Sequence, residues 1–180
     1  MAEFSVESFV QDARTIAAGQ DATKNLRVFM DQVFKDIQPI DAAFRDSPSG
    51  DIILFEDDTV SIWRTSFDPG VSVPAHDHQL SAVIGVYQGS ERNDFFEADP
   101  SGGLRRSTDV ALSAGDVLSI GPSAIHGVTC ISDDPCLGLH VYLGNLTAVE
   151  RTLFDIDNKR VLPFDDANYQ KLMALDRFSG

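Results

Sequence analysis

The sequence predicts an all-β core behind a helical N-terminal cover. Apolar residues recur at helical spacing through the first 45 positions, and from Asp51 the period falls to two. Turn signals then recur roughly every 8–12 residues, the rhythm of many short strands in a sandwich or barrel.

The elements follow in order. Val6, Phe9, Val10, Ala13, Ile16 and Ala17 share one face of a first helix, which Gly19 ends. Asp21 is placed to cap a second helix, whose stripe is Leu26, Phe29, Met30, Val33, Phe34 and Ile37; Pro39 is expected to stop it. These two helices should lie against the outside of the β core. Strands are expected over 51–56, 59–67, 71–77, 81–88, 91–97, 104–112, 116–120, 125–131 and 136–143. Asp68-Pro69-Gly70, Gln88-Gly89-Ser90, Pro100-Ser101-Gly102-Gly103 and Asp133-Asp134-Pro135 punctuate them. After Asn145 a short strand or two and a short C-terminal helix near 165–175 complete a single domain over residues 1–180. Its parts are a helical cover over 1–45, a barrel with a return segment over 50–165, and a helix and tail over 166–180.

Composition narrows the function classes. At 180 residues the chain is long enough for one real core, and 43% apolar with 23% charged residues is ordinary for a soluble protein. A net charge of −14 argues against nucleic acid or an anionic membrane as partner, while leaving room for an anionic substrate held by a local arginine. No apolar run approaches a membrane span, and Met1-Ala2-Glu3-Phe4-Ser5 does not begin like a secretory signal. Cys130 and Cys136 do not make a disulfide framework and are expected as free thiols in a cytoplasmic protein. A homo-oligomer is compatible with all of this.

The chemistry concentrates in the histidines. There are four, and two of them form His76-Asp77-His78 on a predicted strand. Alternation sends both imidazoles to one face and Asp77 to the other, where a structural role is expected. His126 follows in Gly121-Pro122-Ser123-Ala124-Ile125-His126. Three neutral imidazoles around one ion leave coordination positions open, which is a catalytic arrangement. His140 and Tyr142 share a face of a later strand, Cys136-Leu137-Gly138-Leu139-His140-Val141-Tyr142.

Gly70, the H-x-H pair, Gly89, and the run from Gly115-Asp116 through Pro122 to His126 together resemble the cupin superfamily. The resemblance implies a double-stranded β-helix, a jelly-roll barrel that grips a metal. Where a glutamate ligand often follows the second histidine the chain has Ala82 and Val83, and Cys130 stands where an asparagine is frequent. The resemblance therefore implies a three-histidine centre of His76, His78 and His126.

Within that superfamily, residues 50–165 resemble the thiol dioxygenases, the cysteine dioxygenase and 3-mercaptopropionate dioxygenase group. There a Ser-x-His-x-Tyr strand lies behind the iron. Here Gly138 takes the serine place, and His140 and Tyr142 take the other two. His140-Val141-Tyr142-Leu143-Gly144-Asn145 continues to Arg151, which matches the family's carboxylate-binding arginine. Val83 replaces the cysteine of the thioether crosslink, so no crosslink is expected. Arg64 is a second candidate for substrate binding, on an early strand.

The implied cofactor is Fe(2+) and the implied partners are a small thiol carboxylate and O2, giving a sulfinate. Three neutral ligands leave the iron its full charge, which favours a coordinating thiolate. Tyr142 would donate a hydrogen bond to substrate or oxygen, His140 would orient that hydroxyl, and Arg151 would fork onto the carboxylate. Two alternatives remain open: a three-histidine dioxygenase cleaving a carbon–carbon bond of a diketone-like substrate, and a non-catalytic cupin that binds a metal or small molecule.

Overall fold

The computed structural model describes residues 4–176. Three helices lead: α1 (Val6–Ala17), α2 (Ala22–Val33) and α3 (Gln38–Phe44). Ser5 caps α1, its hydroxyl accepting the Ser8 N–H at 3.1 Å. Asp21 precedes α2 in the left-handed region, φ 52°, and makes no side-chain cap. The expectation of two N-terminal helices is corrected to three. Pro39 does not stop α2, which ends earlier at Val33; it sits in the first turn of α3, where a missing N–H costs nothing. Ile40 and Phe44 anchor that extra helix in the core.

Eleven strands follow: β1 (Ile52–Glu56), β2 (Ser61–Phe67), β3 (Ser72–Asp77), β4 (Ala82–Gln88), β5 (Ser90–Ala98), β6 (Leu104–Ser113), β7 (Val117–Ile120), β8 (Ile125–Cys130), β9 (Cys136–Tyr142), β10 (Thr152–Asp155) and β11 (Arg160–Pro163). They form two antiparallel sheets, ordered β1-β2-β9-β4-β7 and β11-β10-β3-β8-β5-β6. Sequence neighbours repeatedly fall in opposite sheets, so the chain winds across the two layers as a jelly roll. Helix α4 (Asp166–Asp176) closes the described chain. No described helix is long and apolar enough to cross a membrane.

Alternation along β4 divides the interior in two. Val83 and Tyr87 turn outward to the helices and join Phe9, Leu26, Met30, Phe34, Ile62, Leu139 and Val141 in one buried cluster. Ala82, Ile84 and Val86 turn inward and pack with Leu112, Ile120, Cys130, Cys136 and Tyr142 between the sheets. Gly85 lets the cover approach closely: a Cβ there would lie 2.3 Å from the Phe34 ring. The helical stripes thus bury against the outside of the five-stranded sheet, leaving the inter-sheet space for the histidines.

Candidate metal centre

His76 ends its approach on β3 and stands directly opposite His126 of β8 in the antiparallel register. Such cross-strand pairs hold their side chains within contact range, and the two rings lie 4.6 Å apart. His78 is the first residue beyond β3. Gln79 then turns the chain at φ 55°, so the second imidazole of the H-x-H pair reaches back to the same cluster. One ring nitrogen from each of His76, His78 and His126 lies within 4.8 Å of the other two, and all three residues are buried.

The outer nitrogens decide what the inner ones do. His76 Nδ1 is 2.8 Å from the Pro74 carbonyl, which accepts its proton. His126 Nδ1 is 2.9 Å from Asn93 Oδ1. The Asn93 amide is itself oriented, because its Nδ2 donates to Glu91 Oε1 at 2.8 Å. Both histidines are therefore protonated on Nδ1, and both Nε2 lone pairs aim inward. His78 Nε2 and His126 Nε2 are 2.9 Å apart, the spacing of two ligands at roughly right angles around an ion ~2.0–2.1 Å from each. Converging lone pairs in a buried site fit a metal ion. Burial keeps the rings neutral: it pushes His76 down to about 4 and His78 and His126 well below the usual histidine value.

The facing wall comes from β2 and β9. His140 sits between two partners, Nε2 3.1 Å from Thr65 Oγ1 and Nδ1 3.0 Å from Tyr142 Oη. The Tyr142 ring lies 4.9 Å from that of His78. Burial pushes His140 down to about 3 and raises the Tyr142 phenol, which stays neutral.

A cavity of about 290 Å³ opens on this group. His76, His78, His126, His140, Tyr142, Thr65, Trp63 and Arg151 line it, with Phe164 and Tyr169 from the C-terminal segment. Leu153 of β10 pairs with His76, and the Thr152 N–H donates to Asp77 Oδ1 at 2.9 Å. Asp77 thus ties down the return segment that carries Arg151. The Arg151 guanidinium lies 4.0 Å over the Phe164 ring and forms no ion pair with any described residue.

Arg64 goes elsewhere. Thr65 and Trp63 line the cavity, so alternation turns Arg64 to the helix-facing side of β2. There its Nε donates to Tyr87 Oη at 3.0 Å and its Nη1 to the carbonyls of Pro48 and Gly50. It staples the loop after α3 to the barrel, and the expectation that it binds substrate is withdrawn.

Thr65, Asn93, Glu91, Phe164 and Tyr169 were not singled out from sequence as site residues. Glu91 and Asn93 do carry one signal: they sit two apart on β5 and therefore share a face.

No protein-family model matches the chain. Among solved structures, a protein from Bacillus halodurans superposes with TM-score 0.51 at 13% identity, over 58% of this chain and 77% of that one. An uncharacterized protein with a double-stranded β-helix domain from Klebsiella pneumoniae gives 0.48 at 18%, over 64% and 94%. A cupin superfamily protein from Desulfitobacterium hafniense gives 0.44 at 22%, over 56% and 82%. The likeness is one of fold: two antiparallel sheets wound as a jelly roll.

Proposed function

We propose that this chain is an iron-dependent dioxygenase that oxidises a small thiol carboxylate to its sulfinate. The observation that carries the reading is the half-buried Arg151 guanidinium, which has no direct ion pair with a described residue and lines the same cavity as three converging imidazoles and a histidine-held tyrosine. A metal site alone would not call for a cation beside it. Like charges repel, so an arginine kept there with its guanidinium N–H groups unpaired to any described carboxylate fits a ligand that brings one.

His76, His78 and His126 would hold the iron. Ferrous iron, when bound, favours the thiolate form of a sulfur ligand and supplies the redox chemistry that transfers oxygen to it. The rest falls to the chain. Arg151 orients the substrate through a two-pronged hydrogen bond to its carboxylate, and Phe164 fixes the guanidinium plane by stacking beneath it. His140 accepts or donates at Nδ1 and so sets where the Tyr142 proton points. The apolar walls from Phe164, Val128 and Leu146 limit water.

The test is oxygen consumption after anaerobic loading with ferrous iron, across thiols with and without a carboxylate. Uptake with a thiol carboxylate and formation of the sulfinate are expected. Uptake only with a diketone-like compound would transfer the site to carbon–carbon cleavage. No uptake with a fully loaded protein would leave a binding module.

A further inference from the structure

Position 138 has no side chain, yet His140 Nε2 does not lack a partner. Thr65 of β2 stands directly opposite Gly138 of β9 in the antiparallel register, and its hydroxyl lies 3.1 Å from His140 Nε2. A side chain at 138 would crowd that hydroxyl. A Cβ on Gly138 would come within 3.1 Å of Thr65 Oγ1, 3.1 Å of His140 Nε2 and 3.0 Å of the Gly85 carbonyl. The hydroxyl that meets His140 Nε2 comes from the neighbouring strand.

We infer that Thr65 is the positioning residue of the His140–Tyr142 pair, donating its hydroxyl proton to His140 Nε2 across the β2–β9 ladder. The direction follows from the role of Tyr142 as the donor to a ligand in the cavity. If Thr65 donates, Nε2 is the acceptor and Nδ1 carries the ring proton. Nδ1–H then donates to Tyr142 Oη, and the phenol proton is left to point into the cavity. If the chain ran the other way, Nε2–H would donate to Thr65 and the Tyr142 proton would be consumed by Nδ1. The Thr65 hydroxyl proton would then be the one left to face the cavity, and Tyr142 would have none to offer a ligand there. Thr65 therefore fixes which way the tyrosine offers its proton, without itself touching substrate.

The inference deepens the dioxygenase reading and rests on it for the direction of the chain and for its kinetic arm. The first measurement is the ring-nitrogen NMR spectrum of His140 in the full chain, with and without diamagnetic zinc, for the wild type, Thr65→Ser and Thr65→Val. Valine keeps the shape and removes the hydroxyl. The wild type and Thr65→Ser should show a single tautomer protonated on Nδ1, and Thr65→Val should lose it. With ferrous iron, Thr65→Val should keep its metal and its KM while kcat falls about 3- to 10-fold, the loss of one neutral hydrogen bond, and Thr65→Ser should restore it. A wild-type His140 protonated on Nε2, or a Thr65→Val protein with an unchanged tautomer, overturns the inference. The NMR arm needs no substrate, so a failure of the thiol reading would leave it standing.

Discussion

On the six-stranded wall, His76 and His126 each have one nitrogen committed to the protein, at Pro74 and Asn93, and one turned inward. On the five-stranded wall, His140 has both nitrogens committed, to Thr65 and Tyr142. The three residues are chemically identical and similarly buried. What separates a ligand from a relay is therefore the number of partners the surrounding strands supply. A histidine with one partner keeps a lone pair for an ion; a histidine with two becomes a link in a hydrogen-bond chain.

The strongest attack on that contrast is to remove a ligand. His126→Ala should lose most bound iron and essentially all turnover, whereas His140→Ala should keep its metal and only slow the reaction. Metal content by elemental analysis decides it, and equal metal loss in both variants would erase the distinction.

Arg151→Lys keeps charge and discards the planar fork. Losing a charge-assisted contact costs on the order of 1.5–3 kcal/mol, or roughly 10- to 150-fold in kcat/KM, for a thiol carboxylate. A simple aminothiol should be indifferent. If both substrates respond alike, Arg151 does not clamp the carboxylate.

Asn93→Ala leaves every ligand in place and frees His126 to change tautomer. Removing such an orienting partner typically weakens metal binding by about 10- to 100-fold. Competition with a chelator of known affinity measures this, and an unchanged constant would show that the β5 partner is idle.

A separate effect is on stability. Burial depresses the histidines, His76 to about 4 and His140 to about 3. Below roughly pH 6.5 the unfolded chain takes up protons that the native state refuses, so stability falls as pH drops from there toward 4. Each such histidine contributes at most about 1.4 kcal/mol per pH unit. Urea midpoints of the metal-free protein should decline over this window, less steeply in His140→Gln.

Much of this was legible in the sequence. Period-two alternation and turn residues located the nine main strands to within two residues at each end, and the H-x-H spacing with His126 marked the cluster. What was hidden depends on pairing. Asn93 reaches His126 because β5 and β8 are neighbours in the sheet, and Thr65 reaches His140 because β2 and β9 are. Nothing local to either strand states that adjacency. Arg64 shows a second limit. Both faces of β2 are buried, one under helices and one under the other sheet, so alternation separates Arg64 from Thr65 without saying which face holds the cavity. Pro39 shows a third: the same ring that breaks a helix interior is at home in a first turn.

The 48-residue separation of His78 and His126 carries a kinetic consequence. The metal cluster does not exist in any local stretch of chain; it requires β3 and β8 to have met, and the cavity further requires β10 to have returned beside β3. Such distant pairings form after much loop entropy has been lost, late on the route to the native state. An ion that binds only the finished cluster stabilises the product and not the barrier before it. Metal should therefore lengthen the lifetime of the folded protein, slowing the unfolding limb of a denaturant series while leaving the refolding limb where it was.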